Sequence, residues 1–191
     1  MQAAIGEWKA EDITIEATVE RESPQVTAET LSKMTDVLGT ATTDYSASSS
    51  GRAQNVENGT SKINGTLLMP GESFSVTDAV VPFNAENGYE LAPSYEAGQV
   101  VDSYGGGICQ VSTTLYNAVL KAELEVDSVR TTRCSSAMWI RPRIAAIAEG
   151  VMDFVFTNDK DSPVYIAGAA YYGTLTFTIF GEETRPANLL Y

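Results

Sequence analysis

Hydrophobic and polar positions alternate near both ends of the chain and fall into helical spacing in between. Asp12-Ile13-Thr14-Ile15-Glu16-Ala17-Thr18-Val19 alternates in steps of two, the mark of a half-buried strand. The chain turns through Pro24, and Thr27 stands as N-cap to a short helix predicted over Ala28 to Leu38, which Gly39 closes. Thr40 to Tyr45 reads as a strand. Arg52 to Ile63 reads as a helix with Ala53, Val56, Thr60 and Ile63 on one side. A short strand over Thr66 to Met69, the turn Pro70-Gly71-Glu72 and a strand through Phe74 and Val76 follow. Glu72 is either an acid supporting a site or a turn residue. Asp78 to Pro93, rich in Asn, Gly and Pro, reads as an exposed loop with a small helix, of the kind that often carries function.

Gln99 to Tyr104 is a strand that runs into Gly105-Gly106-Gly107-Ile108-Cys109-Gln110-Val111-Ser112-Thr113-Thr114-Leu115-Tyr116. Ile108, Val111, Leu115, Ala118, Val119 and Ala122 recur three or four apart and build one apolar helix face. Glu125 to Arg133 reads as a strand. Met152 to Phe156, Val164 to Tyr172 and Leu175 to Phe180 read as antiparallel strands, with Asn158-Asp159 and Gly173 at their turns. The pattern predicts an α+β fold: a mainly antiparallel sheet with the Cys109-bearing helix on one face and the 78–93 loop over the site. A doubly wound sheet lacks the strand–helix–strand repeat it requires. The Ser/Gly stretch 46–51 is the best boundary, dividing an appendage at 1–45 from a main domain at 46–191.

The chemistry gathers at Cys109. A glycine loop feeding a helix presents amide groups and a dipole that favour negative charge, and a thiolate is the reactive form of cysteine. The same amides, Gly107 at the helix edge and Gln110 beside the thiol, suit an oxyanion. The plain alternative is a small buried hydrophobe after a tight turn. A phosphate loop is a weaker match, because the Gly-Lys-Ser/Thr ending is missing. Arg52 and Asn55, three apart, share a helix face. They are either solvated or they hold the glycine loop or a substrate carboxylate. Asp153 lies among apolar neighbours on an alternating strand, either as a buried partner or facing solvent.

Composition narrows the choices. The 191 residues include 43% hydrophobic and 19% charged positions, which is ordinary for a globular protein with a real core. Twelve Lys+Arg against 25 Asp+Glu give −13, which argues against nucleic acid or an anionic membrane as partner. There is no histidine, so Ser-His-Asp and Cys-His machinery and imidazole metal sites are excluded; we expect no metal and no cofactor. Cys109 and Cys134 are either bonded or two thiols. No apolar run reaches the ~18 residues of a membrane span, and no basic-then-apolar signal follows Met1. An exported protein would carry its signal or anchor outside these residues.

The run Gly105 to Ala118 resembles the central signature of the VanW-domain family, the relatives of a vancomycin B-type resistance protein W. The resemblance takes in Arg52, Asn55, Ile63-Asn64-Gly65, Pro70 to Ser75 and Gly88-Tyr89 upstream, and Asp153 to Asn158 downstream, over about residues 38–181. The opening strand and helix resemble the tail of a peptidoglycan-binding-like domain. The resemblance implies a bacterial, extracytoplasmic, cell-wall protein acting on peptidoglycan stem peptides by L,D-transpeptidation through a Cys109 thioester. With Cys109, Gly107 and Gln110 as the catalytic set, Arg52, Asn55, Tyr104, Ser112, Thr113, Arg130 and Arg133 are expected to contact substrate. The chain departs from the family where a His-Ser pair is replaced by Cys134-Ser135 and an Asp-Ala pair by Ala145-Ala146. Losing a positioned base costs about a hundred- to ten-thousand-fold in rate. Three alternatives follow: a thiolate maintained by the helix start with Arg130 or Arg133, a silenced Cys109–Cys134 disulfide, or a non-catalytic wall-binding module. A papain-like peptidase would need the missing His.

Overall fold

The computed structural model describes residues 26–96, 99–131 and 145–186. The strand expected at Asp12–Val19 lies outside them. The fold is α+β, with every strand pairing antiparallel. In chain order the elements are α1 (Ala28–Ser32), β1 (Asp36–Asp44), α2 (Ser50–Ile63), β2 (Thr66–Leu68), β3 (Ser73–Ser75), α3 (Val76–Val80), β4 (Leu91–Glu96), β5 (Gln99–Tyr104), α4 (Ile108–Ala122), β6 (Glu125–Thr131), β7 (Ala145–Ala146), β8 (Phe154–Thr157), β9 (Val164–Tyr171) and β10 (Thr174–Gly181). One four-stranded sheet has the order β1-β10-β9-β2, a second β3-β8-β6-β7, and β4-β5 is a separate hairpin.

The helix α4 lies between the two sheets. It packs on β1 and β10 of the first and on β7 and β8 of the second, while α2 covers β9 beside it. Two-sided burial explains its composition: Val111, Ser112, Leu115, Ala118 and Val119 are almost wholly covered, and so are the polar Gln110, Thr113 and Thr114. Small residues let the sheets approach. At Gly39 of β1 an added Cβ would sit 2.3 Å from the Ala118 carbonyl oxygen and 2.6 Å from the Ala122 nitrogen, so strand and helix touch backbone to backbone. Leu175, Phe177 and Ile179 of β10, and Phe154 and Phe156 of β8, supply large side chains from either side. Tyr116 stands edge-on to Phe154, with centroids 5.3 Å apart.

Several expectations are corrected. The helix foreseen over 28–38 ends at Ser32, and Asp36 to Leu38 join β1 because pairing along β10 outweighs the helical spacing of Leu31, Met34 and Leu38. Gly39 is therefore a strand residue beside a register shift, not a helix stop. The 46–51 stretch, the expected boundary, comprises residues 46–48 after β1, the Ser49 cap and the first two residues of α2. Val76 does not extend a strand; Ser75 caps α3 by accepting from the Asp78 amide at 3.0 Å. The end of the 78–93 loop forms β4. Glu72 takes the turn role, its carboxylate accepting from the Met69 amide at 2.8 Å.

Asp153 is a half-buried partner. It accepts from Ser75 Oγ at 2.6 Å and from the amides of Thr77 at 2.9 Å and Phe154 at 2.7 Å, pinning α3 to β8. Burial pushes its carboxyl upward, but the hydrogen bonds from Ser75, Thr77 and Phe154 outweigh it and leave the group below its ordinary value.

Gly39→Ala is expected to destabilise the protein by roughly 1–3 kcal/mol, because backbone atoms cannot yield as a flexible side chain does. Urea denaturation followed by circular dichroism reads this; an unchanged midpoint would show that β1 and α4 are not packed this tightly.

Candidate functional site

The glycine loop is fixed from three sides. Gly107, the N-cap of α4, has φ 111°, and Gly105 has φ 80°, both in the left-handed region that side chains avoid. Gly106 is constrained by space: an added Cβ would lie 2.6 Å from the Ala92 carbonyl oxygen of β4. The loop also closes on itself, with the Ile108 amide donating to Gly105 O at 3.0 Å and the Gln110 amide to Gly107 O at 2.9 Å.

Asn55 and Arg52 do the holding, and neither is a solvated face. Asn55 is fully buried. Its Nδ2 donates to Gly106 O at 2.9 Å and Glu90 O at 3.0 Å, and its Oδ1 accepts from the Glu90 amide at 2.8 Å. One amide thus joins α2, the glycine loop and the chain entering β4. Nearby, Asn58 donates to Asn87 O at 3.0 Å and Lys62 to Asn87 Oδ1 at 2.8 Å, fastening the rest of that loop to α2.

Arg52 reaches across with its fork, Nη1 donating to Ser48 Oγ at 2.6 Å and Nη2 to Gln110 Oε1 at 2.8 Å. Gln110 points inward and is nearly buried; its Nε2 donates to Thr43 Oγ1 at 3.0 Å and Asp44 O at 2.9 Å. Its side-chain amide is thus engaged by Arg52, Thr43 and Asp44. Thr43 in turn shares a 2.8 Å hydrogen bond with Thr114, which donates to Gln110 O. Burial pulls the Arg52 guanidinium below its ordinary value, and the charge of Cys109 works the other way.

Cys109 is the second residue of α4 and is exposed, so it is not a buried hydrophobe. Its thiol donates to Ile147 O at 3.6 Å, just past β7. Thr113, one turn on, fixes β7 through both polar groups of Ala145, accepting from the nitrogen at 3.2 Å and donating to the oxygen at 3.4 Å. The Ala145-Ala146 slot therefore lies against the cysteine helix, with Ala145 fully buried. Ser112 is wholly buried, and among the described residues its Oγ has no partner. Tyr104 ends β5 at the mouth of the loop and is 40% exposed. Arg130 pairs with Ala146 through the backbone. Its side chain, and Arg133 and Cys134 entirely, lie outside the described residues.

The structure thus brings Cys109, Gly107, Arg52, Asn55 and Gln110 together and turns Gln110, Ser112 and Thr113 inward. The amides of Ile108 and Gln110, on either side of the thiol, are engaged by the loop's own carbonyls. Sequence reasoning missed Ser48, Thr43, Thr114 and the Ile147 carbonyl. The hydroxyl-rich spacing of α4 is the signal that points to Thr114; a backbone carbonyl leaves none.

The model of the family described as VanW like protein matches residues 51–180. The chain belongs to the VanW-like family. It is 32% identical over 168 residues to the uncharacterized protein YoaR of Bacillus subtilis (strain 168), covering 87% of this chain and 55% of that protein. The chain thus spans about half the length of that relative. No solved structure matches it. Among the described residues, no helix of this VanW-like protein is long and apolar enough to cross a membrane.

Asn55→Ala leaves the Glu90 and Gly106 backbone groups without their partner and is expected to cost at least ~2 kcal/mol. Asn58→Ala, which removes one partly buried bond, should cost under ~1.5 kcal/mol. Urea midpoints of the two variants check the ranking.

Proposed function

We propose that this VanW-like protein is a cell-wall protein, placed outside the cytoplasm, that transfers acyl groups between peptidoglycan stem peptides through a thioester on Cys109. The observation that carries the reading is an exposed thiol at the first turn of a rigidly held helix, next to Gln110, which holds the Arg52 guanidinium. Membership of the family supports the cell-wall setting.

The chemistry needs little else. The Cys109 sulfur, as thiolate, attacks the carbonyl carbon of a stem-peptide residue and a C–S bond forms. The intermediate collapses, the peptide C–N bond breaks, and the leaving amine takes its proton from water. An amine of a neighbouring stem then attacks the thioester, releases the thiolate, and gives up its proton to water as the new amide forms. The positive end of α4 and Arg52 favour the anionic sulfur, while the Ile147 carbonyl, an acceptor only, favours the thiol. Without histidine, proton transfer falls to solvent, consistent with a slow enzyme.

A second reading, a wall-binding module without turnover, is favoured by the engaged Ile108 and Gln110 amides, which leave two fewer donors for an oxyanion. The readings separate on the reduced protein. Acyl transfer predicts that incubation with a stem tetrapeptide, or with a carbapenem, yields a covalent adduct on Cys109 in intact-mass spectra, absent in Cys109→Ala. No adduct, with sacculus binding retained by Cys109→Ala, would leave only the module.

Removing the neighbouring charge is expected to slow the thiol. If the Arg52–Cys109 interaction is worth ~1 kcal/mol near the surface, Arg52→Met should alkylate with iodoacetamide about fivefold more slowly at pH 7. The gap should close above the thiol's titration, where both forms are thiolate. A gap that persists unchanged at high pH would assign the effect to access rather than charge.

A further inference from the structure

Away from Cys109, a cleft of about 750 Å³ opens between α2 and the β9–β10 hairpin. Its walls include Glu57 and Ser61 from α2, Asn64 at the C-cap of that helix, and Gly168, Ala170 and Tyr171 from β9. Among the described residues no lysine or arginine lines it.

The edge of β9 faces this cleft unpartnered. The hairpin turns through two residues, Tyr172 and Gly173, both with positive φ, so Tyr171 and Thr174 form its first hydrogen-bonded pair. By alternation, Ala169 and Ala167 also bond to β10, and Ile166, Gly168 and Ala170 turn their backbone groups to the opposite edge. β2 occupies that edge only from Val164 to Ile166. Beyond it Asn64 takes the place of a strand, its Oδ1 accepting from the Gly168 amide at 2.9 Å. Among the described residues, the Gly168 carbonyl and both backbone groups of Ala170 then face the cleft with no partner. Ala170 is only 9% exposed, and polar backbone this covered is rarely left unpaired.

We infer that this edge receives an extended peptide segment, laid antiparallel to β9 in line with β2, that carries a basic side chain opposite Glu57. Strand addition supplies main-chain hydrogen bonds at the groups β2 leaves open. On the face of β9, α2 packs closely, an added Cβ at Gly168 lying 3.0 Å from Thr60 Cγ2, so the segment adds at the edge, in the plane of the sheet. Charge selects the partner: Glu57 accepts from the Tyr45 hydroxyl at 3.1 Å through one oxygen and keeps the other for a cation. Burial and the Glu57 carboxylate push the Tyr45 hydroxyl up to about 12, so it remains a neutral donor at any working pH. The inference stands apart from acyl transfer, since neither Cys109 nor the glycine loop lines the cleft.

The test is amide hydrogen exchange and peptide selection on the intact chain. In the free protein the Ala170 amide should exchange at least tenfold faster than those of Ala169 and Tyr171; equal protection would mean the edge is already closed and would overturn the proposal. A heptapeptide library should then yield lysine- or arginine-bearing sequences that slow Ala170 exchange. Glu57→Lys should weaken those peptides about tenfold or more while leaving Cys109 alkylation unchanged. Cys109→Ala should bind them as wild type does, so failure of the thioester chemistry leaves this result standing. No selected peptide, peptides insensitive to Glu57→Lys, or binding only of a chitin oligosaccharide used as competitor would each refute strand addition.

Discussion

The Asn55 side chain is the interaction on which the site depends. A buried amide must find partners for its donors and acceptor, and here they are three backbone groups on two chain segments far apart in sequence. The carbonyl of Gly106 and both polar groups of Glu90 cannot turn to water without leaving α2. This fixes where β5 must end and where α4 must begin. The glycines are a consequence of that closeness. The β4 backbone lies against Gly106 and the Arg52 side chain against Gly107, so the loop has room for hydrogen atoms and little more. The position of Cys109 is thus set by a residue that is itself hidden from any substrate.

A helix held between two sheets normally carries aliphatic residues all round. The α4 sequence keeps its aliphatics but adds buried Gln110, Ser112, Thr113 and Thr114. Three of the four have identifiable work. Gln110 and Thr114 tie the helix to β1, and Thr113 ties it to β7. Short hydroxyls allow a close approach to backbone while supplying the bond that such an approach would otherwise break. The polar side of α4 is therefore a joint between sheets, and in its first turn Cys109 alone is exposed. Ser112 is the exception: nothing in the described residues explains its buried hydroxyl.

Much of this was readable in the sequence, and the failures share a cause. Periodicity located α4 to the residue at its start, placed β5, β9 and β10 closely, and marked Gly173 as a turn, because those signals are local. It extended a helix to Leu38, since Leu31, Met34 and Leu38 carry helical spacing; the deciding term was pairing with β10, some 140 positions away. At Val76 the alternation with Phe74 suggests a strand, but the Ser75 cap, accepting from the Asp78 amide, decides for a helix. At the site, motif spacing found Arg52, Asn55 and Cys109 but misjudged direction. Gln110 stands next to the thiol in sequence and about 100° away around the helix, which sends its side chain to Thr43. Adjacency on a helix is not adjacency in space.

The same helical geometry bears on the proposed acyl transfer. Cys109 and Gln110 diverge by one step, so the residue that anchors the helix and the residue that exposes a thiol are mechanically coupled but point apart. Arg52 bridges the two: its fork holds Gln110 and Ser48, while its charge is felt at Cys109. A guanidinium fixed by two hydrogen bonds cannot swing away when the sulfur changes charge, so its field is preorganised rather than recruited. In the proposed acyl transfer a base would both remove a proton and orient the nucleophile; orientation would come from the loop and Asn55, stabilisation of negative charge from Arg52 and the helix end, and proton removal would fall to water. The same rigid placement of an exposed thiol serves the second proposed reading, a binding module without turnover, because nothing in it depends on a titrating side chain.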